Sequence, residues 1–183
     1  MKFILSISGA SGVIYGIKLL QELVRMNLEV HLIISETAKQ ILKHEIKQDY
    51  EELYRLAYKT YENNSLFSPP SSGSFEHDGM IVVPCSMKTL SAVANGYGDT
   101  LTARAALCCL KENRKLVLVP RETPLNKTGI KNMLLAKENG AVILPAMPAF
   151  YHKPEKIGDL VNFIVGKILD QLSIKHSLFK RWE

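Results

Sequence analysis

Residues 1–20, MKFILSISGASGVIYGIKLL, join an apolar run, a group of small residues and an amphipathic segment. The apolar run predicts a buried strand over residues 2–8, and the spacing of Ile14, Ile17 and Leu20 predicts a helix over 12–26. A strand that passes through glycines into a helix is the repeating unit of a parallel α/β sheet. This opening therefore predicts the fold class, provided that the pattern repeats along the chain.

The alternation does continue along the chain. Further apolar runs predict strands over 28–35, 80–84, 116–120 and 141–144. Helices are predicted over 36–47, 50–61, 86–95, 100–111, 127–139 and 154–172, with a long loop rich in Ser, Pro and Gly at 62–79. Continuous apolar strands that alternate with helices indicate an α/β fold, a doubly wound parallel sheet with helices on both faces. With no repeat or composition break, one domain over 1–183 is expected.

Composition and charge exclude several classes of protein. Of 183 residues, 46% are hydrophobic and 22% charged, which is usual for globular proteins. No apolar run approaches the roughly 20 residues that cross a bilayer, so no membrane partner is expected. The net charge of +5 is spread along the chain rather than gathered in a basic run, so no nucleic-acid partner is expected and small phosphorylated ligands fit better. Cys85, Cys108 and Cys109 show neither a paired framework nor metal-ligand spacing, which favours a cytoplasmic setting.

Polar residues follow every predicted strand. They are SGASG after the first strand, Ser35 after the second, PCSMKT after the third, PRETP after the fourth and PAMPAFYHKP after the fifth. Ligands of doubly wound sheets bind beyond the carboxyl ends of the strands, which share one edge. These groups are therefore expected to meet in one cleft.

The SGASG loop (residues 8–12) suits a phosphate. Glycines allow a tight turn that exposes backbone amides, and the following helix N-terminus adds a partial positive charge. The spacing of Gly9, Gly12 and Gly16 matches neither the dinucleotide fingerprint nor the P-loop, and Ser35 stands where a ribose-binding acid would end the second strand. A plain strand–helix turn is the alternative.

PCSMKT and PRETP each have a structural and a functional interpretation. Ser86 is a predicted N-cap, but Lys88 in the first helical turn opposes the helix dipole, which a bound anion or flavin edge would explain. Arg121 and Glu122 could form an exposed ion pair of little energy, or a cation and a proton-transferring carboxylate in a cleft. Cys85 is predicted to be a small buried residue rather than a nucleophile.

The loop PAMPAFYHKP offers Tyr151, which could pack against the sheet edge or present its hydroxyl to a phosphate. His152 is predicted to be structural or solvated. The sequence has no Asp-rich cluster of the kind that holds Mg²⁺ against a diphosphate and no Cys/His set for zinc. Any bound phosphates would therefore be neutralised by side-chain cations and amides.

Six motifs together carry a family resemblance over nearly the whole chain. SGASGVIYG, LIIS, PPSSGSF, VPCSMKTLSAVANG, LVLVPRETPL and ILPAMPAFYHKP, with the Arg181–Trp182 pair near the end, resemble the UbiX/Pad-type flavin prenyltransferases. These flavoproteins form one group with the flavin-dependent cysteine decarboxylases. The resemblance implies an enzyme that joins the five-carbon group of dimethylallyl monophosphate to N5 and C6 of reduced FMN without a metal. It also implies a dodecamer whose active sites are completed by neighbouring subunits, and a UbiD-type decarboxylase as recipient of the prenylated FMN.

The resemblance also implies roles for individual residues. Glu122 matches the family's proton-handling carboxylate, Glu45 matches a second acid in the site, and Ser11 would lie near the reacting N5. The residues implied in FMN binding are Gly9, Ala10, Ser11, Ser35, Ser86, Met87, Lys88, Thr89 and Arg121. Those implied in holding the prenyl phosphate are Arg104, Lys111, Tyr151 and Lys167.

Two positions depart from the family pattern. Lys167 stands where the family often has an arginine, so the charge remains but the bidentate fork is lost. Leu66 stands where some relatives place a tryptophan against the prenyl group. The alternatives are a cysteine decarboxylase, which PAMPAFY disfavours because that group carries an Asn-bearing PxMN-type loop, a non-catalytic FMN-binding subunit of a decarboxylase, and a flavodoxin-like electron carrier.

Overall fold

The computed structural model describes residues 1–47 and 49–182, and its described strands join one parallel sheet in the order β3-β2-β1-β4-β5-β6. The strands are β1 Lys2–Ile7, β2 Glu29–Ile34, β3 Lys59–Glu62, β4 Gly79–Cys85, β5 Lys115–Pro120 and β6 Val142–Ile143. The helices are α1 Val13–Arg25, α2 Glu36–Glu45, α3 Tyr50–Leu56, α4 Met87–Ala94, α5 Leu101–Lys111, α6 Lys127–Glu138 and α7 Ile157–Gln171. The predicted doubly wound α/β fold is confirmed.

Side chains of the central strands alternate between two hydrophobic cores. Phe3, Leu5 and Ile7 of β1 pack with α1 and α7 on one face of the sheet, whereas Ile4 packs on the other face with residues of α4 and α5. This period-2 alternation buries both faces, as a parallel sheet requires. The continuous apolar runs of the sequence are explained by this double burial.

One predicted element was wrong. The helix expected over 50–61 ends at Leu56, and β3 follows as a short edge strand that pairs in parallel with β2, His31 opposite Lys59 and Ile34 opposite Glu62. Tyr61 is its only buried residue. A four-residue edge strand with one buried side chain has too little apolar periodicity to be separated from the preceding helix, which explains the error.

The strand order reverses at β1. From β1 the chain proceeds outward through β2 and β3 on one side and through β4, β5 and β6 on the other. Such a switch point opens a crevice at the carboxyl ends of the two strands that flank it. No helix within residues 1–47 and 49–182 is both long enough and apolar enough to cross a membrane.

Candidate active site

A cavity of about 610 Å³ lies at the carboxyl ends of the strands, within the usual size range of ligand sites. It is lined by every residue that the family resemblance assigns to FMN and by Glu122: Gly9, Ala10, Ser11, Ser35, Ser86, Met87, Lys88, Thr89, Arg121 and Glu122. The three loops SGASG, PCSMKT and PRETP therefore meet, as expected from the topology, whereas PAMPAFYHKP, which was expected in the same cleft, does not line this cavity.

A buried hydroxyl ties the two strands of the switch point together. Ser8 Oγ donates to the carbonyl of Pro84 at 2.9 Å and accepts from the amide of Ser86 at 2.8 Å. Its backbone amide also donates to the Pro84 carbonyl at 3.2 Å. Because Ser8 is buried, losing its hydroxyl would leave the Ser86 amide without this acceptor, and the Pro84 carbonyl would keep the Ser8 amide as its donor. The Ser8 side chain thus fixes the position of the SGASG loop relative to the PCSMKT loop.

The SGASG loop is held in a conformation that glycine favours. Gly12 has a φ of 94°, and a Cβ on Gly9 would lie 2.7 Å from Cβ of Thr37. The Gly12 amide donates to Oε2 of Glu45 at 3.0 Å. Arg121 Nε donates to the Ser11 carbonyl at 3.2 Å, so a cation lies directly on the loop. The loop is thus braced by a carboxylate on one side and by a guanidinium on the other.

Two further helices begin at the cavity with serine caps. Ser35 accepts from the amide of Ala38 at 3.2 Å, and Ser86 accepts from the amide of Thr89 at 3.2 Å. The N-cap prediction for Ser86 is confirmed. Lys88 lies exposed in the first turn of α4 at the cavity wall. Hydroxyls, two helix N-termini and the cations Lys88 and Arg121 form a donor set that fits the phosphate and the carbonyl-rich ring of FMN.

Glu122 is an exposed carboxylate at the mouth of the cavity. Its Oε1 accepts from the amide of Thr123 at 3.1 Å, and the residue also lines a second cavity of about 230 Å³ together with Met87 and Asn126. Its neighbour Arg121 bonds to Ser11 instead of to it. A carboxylate that faces a ligand cavity and keeps one oxygen available can accept or donate a proton there.

Cys85 is buried, and burial raises its pKa to about 12. The prediction that Cys85 is a small buried residue is confirmed, and a raised pKa disfavours the thiolate that a nucleophile requires.

Several cavity residues were missed by sequence reasoning. They include Thr37, Asn63, Asn64, Asp99, Thr100 and Thr102. Asn63 Oδ1 accepts from the amide and the hydroxyl of Thr102 at 3.1 and 2.7 Å. Asn63 directly follows β3, so recognising that strand would have placed it at the carboxyl edge of the sheet.

The residues predicted to bind the prenyl phosphate lie outside this cavity, in two places. Arg104 and Lys111 are on α5, where Arg104 Nε donates to the Ser71 carbonyl at 3.0 Å and Lys111 Nζ lies 3.0 Å from Oε1 of Glu112. The turn at Pro69–Ser71, which belongs to the motif PPSSGSF, packs against α5. Within one chain, both cations therefore lie on the solvent-exposed side of α5.

Tyr151 packs against Phe163 of α7, and Lys167 lies on the same helix. Tyr151 lines a separate cavity of about 200 Å³ with Trp182 and Arg181, and Lys167 Nζ lies 3.5 Å from Oδ2 of Asp170 on α7. His152 stacks on Phe163 at 5.2 Å between ring centroids, and its two buried ring nitrogens have no hydrogen-bond partner among residues 1–47 and 49–182. The prediction of a structural role for His152 agrees with this packing.

Comparison with known proteins identifies the family. The Flavoprotein family model matches residues 1–169. The flavin prenyltransferase UbiX of Methanocaldococcus jannaschii is 52% identical over 182 residues, which are 100% of this chain and 98% of that relative. This chain belongs to the UbiX flavin prenyltransferases.

Two solved structures of UbiX-type proteins have the same fold. AnUbiX (PadA1), whose structure contains FMN and dimethylallyl pyrophosphate, is 44% identical with a TM-score of 0.98, and the match covers 100% of this chain and 97% of that one. A dodecameric FMN-dependent UbiX-like decarboxylase from Escherichia coli O157:H7 is also 44% identical, with a TM-score of 0.97 and full coverage of both chains. The resemblance first noted in short motifs therefore extends over the whole chain.

Proposed function

We propose that this chain catalyses the transfer of a dimethylallyl group from a dimethylallyl phosphate to N5 and C6 of reduced FMN, giving prenylated FMN. Reduced FMN is then a substrate of the reaction rather than a resident cofactor. The observation that carries the proposal is the single cavity in which SGASG, PCSMKT and PRETP converge. Its donors match an FMN, and UbiX-type relatives are 44% to 52% identical to this chain along its whole length.

The flavin half of the site is assigned to residues of the large cavity. Ser86 and Arg121, with the Ser11 segment, hold and orient the FMN, so that much of the rate comes from positioning. Glu45 keeps the SGASG loop in place through the Gly12 amide. Glu122 handles the proton that C6 loses when the second carbon bond forms.

The phosphate half is assigned to Arg104, Lys111, Tyr151 and Lys167. Breaking the allylic carbon–oxygen bond leaves negative charge on the departing phosphate, which these cations and the hydroxyl stabilise. Because they lie outside the flavin cavity of their own chain, we propose that neighbouring subunits bring them to it. A dodecameric relative with the same fold supports an assembly of this kind.

Three further assignments extend the proposal. Residues 1–183 act as one domain, since a single sheet carries the helices. A UbiD-type decarboxylase uses the product. The cytoplasmic setting is consistent with Cys85, Cys108 and Cys109, which are buried and unpaired.

The deciding experiment is anaerobic incubation of the protein with reduced FMN and dimethylallyl monophosphate, followed by mass spectrometry of the released flavin. The expected product is a flavin heavier by one five-carbon unit, with phosphate released in equal amount. A parallel incubation with dimethylallyl diphosphate tests which donor is used. Tight FMN binding with no change in flavin mass under both conditions would refute the transferase and favour a non-catalytic FMN-binding subunit.

A further inference from the structure

The C-terminal segment 173–182, here called the tail, folds back on α7. A Cβ on Gly166 would lie 2.5 Å from Cε1 of Phe179 and 2.6 Å from Cε1 of His176. Only a glycine at this position of α7 lets the two rings approach so closely. Gly166 therefore provides the space in which the tail packs on α7, the helix that carries Lys167.

Where the tail packs on α7, the Asp170 carboxylate contacts three side chains, those of Arg181, His176 and Lys167. Arg181 Nη2 donates to Asp170 Oδ1 at 2.8 Å, and Arg181 Nη1 donates to Oδ2 at 3.3 Å. His176 Nδ1 accepts from the Leu178 amide at 3.2 Å, so the proton is on Nε2, which donates to Asp170 at 3.2 Å. Lys167 Nζ lies farther away, at 3.5 Å.

The charges of this group do not balance. Asp170 supplies one negative charge, while Arg181 and Lys167 supply two positive charges. The Arg181 guanidinium bonds to both oxygens of Asp170, as planar bidentate pairs do, whereas Lys167 approaches only one of them. Lys167 keeps only the longer contact with the shared carboxylate, and 42% of its side chain is exposed against 19% for Asp170. If Arg181 were removed, Lys167 would remain as the fully charged partner of the Asp170 carboxylate.

The tail also touches the second phosphate residue of this region. The ring of Trp182 stands edge-on to Tyr151, with centroids 5.5 Å apart and planes at 90°. Tyr151 makes a similar contact with Phe163 at 5.8 Å, one helical turn before Lys167. The Arg181–Trp182 pair therefore contacts Tyr151 directly and shares the Asp170 carboxylate with Lys167.

We infer that Arg181 is a positioning residue for the phosphate half of the site. By occupying the Asp170 carboxylate it leaves the Lys167 ammonium available to the prenyl phosphate, and Trp182 beside it holds the Tyr151 ring. This inference rests on the proposed function. It gives the tail a role in keeping Lys167 available to bind the prenyl phosphate, at a position where the family often has an arginine.

The test is a double-mutant cycle between Arg181 and Asp170. Arg181→Ala should raise the KM for dimethylallyl monophosphate about tenfold, the loss of roughly one charge-assisted contact, with kcat and FMN affinity nearly unchanged. Asp170→Asn alone should leave KM unchanged or lower it. The double variant Arg181→Ala/Asp170→Asn should recover most of the loss, because the carboxylate that captures Lys167 is gone.

Two controls separate this role from a merely structural one. Lys175→Ala removes a cation of the same tail outside the Asp170 group and should leave KM within about twofold of the wild type, whereas Arg181→Lys should restore part of the affinity. Thermal unfolding and FMN absorbance establish that each variant is folded. A double variant as impaired as Arg181→Ala, or an Arg181→Ala variant with unchanged KM, would overturn the inference.

Binding without turnover gives a second readout. Calorimetric titration of dimethylallyl monophosphate into protein loaded with oxidised FMN should show the same order of affinities across the cycle. If the wild type forms no prenylated flavin but this order holds, the proposed function fails and the role of Arg181 stands. If product forms and the order is absent, the role of Arg181 fails and the function stands.

Discussion

The flavin cavity and the C-terminal phosphate region are built in different ways. Around the cavity, the SGASG, PCSMKT and PRETP loops each follow a strand of one parallel sheet, so that Ser11, Ser86 and Arg121 meet because the strands end together. In the C-terminal region, a tail folds back on α7, so that Arg181 bonds to Asp170 and Trp182 packs on Tyr151. The first region depends on topology and the second on particular side-chain contacts.

This difference predicts how each region responds to change. A site fixed by strand ends tolerates surface changes but fails when the tie between strands or a reacting group is removed. A site fixed by a tail on one helix is sensitive to charge and to pH at a few positions. The predictions below test that contrast from the largest expected effect to the smallest.

The largest effect is expected for Glu122→Gln in the flavin cavity. Removing a group that transfers a proton in the reaction should slow complete turnover by about 10²–10⁴-fold. A flavin joined to the prenyl group through one bond should accumulate, since the second bond requires C6 to lose its proton. Mass spectrometry with absorbance spectra measures both products. Full turnover by Glu122→Gln, judged against the exposed Glu138→Gln control, would refute the assigned role.

A smaller effect is expected for Arg121→Ala. The guanidinium lies on the Ser11 carbonyl at the cavity wall, so its loss should weaken FMN binding about tenfold to a hundredfold. Fluorescence titration of FMN measures the change, with Lys131→Ala on the exposed side of α6 as the matched control. Unchanged FMN affinity in Arg121→Ala would mean that the flavin lies elsewhere.

Ser8→Ala tests the tie between β1 and β4. The variant leaves the Ser86 amide and the Pro84 carbonyl without their hydroxyl partner, which should cost about 1–3 kcal/mol of unfolding free energy. Chemical denaturation measures this loss, and Ser177→Ala in the exposed tail should be neutral within about 0.5 kcal/mol. Equal stability of the two variants would show that the hydroxyl does not hold the strand ends.

The smallest effect concerns pH at the tail. Burial raises the pKa of Asp170, but the hydrogen bond and charge of Arg181, with His176 and Lys167, outweigh it and lower the pKa below the ordinary value. A depressed carboxyl pKa contributes stability above the unfolded value, and this stability is lost as the pH falls through the folded value. Wild type should therefore lose up to about 1 kcal/mol more than Asp170→Asn between pH 5 and pH 3. Parallel acid-unfolding curves for the two proteins would contradict this.

The sequence correctly predicted that SGASG, PCSMKT and PRETP meet at one cavity, because the signals for these loops are local. Each loop, such as SGASG or PRETP, directly follows a strand that is apolar throughout, so strand prediction alone placed the loops at one edge. Asn63 was missed because β3 is short and mostly polar. The Arg181–Asp170 contact was beyond local signals, since it depends on a chain reversal at Ser173, whose φ is 59°, and on the space left by Gly166.

The most direct test of the account is complementation between two inactive variants. One parent carries Glu122→Gln in the flavin half, and the other carries a change in the phosphate half, with Arg104→Ala, Lys111→Ala, Tyr151→Phe and Lys167→Ala examined in turn. The parents are mixed under conditions that exchange subunits, and doubly bonded prenyl-flavin is measured. If neighbouring subunits complete each site, the mixtures should form product that neither parent forms alone. Mixed oligomers that remain as inactive as their parents in every combination would contradict the account.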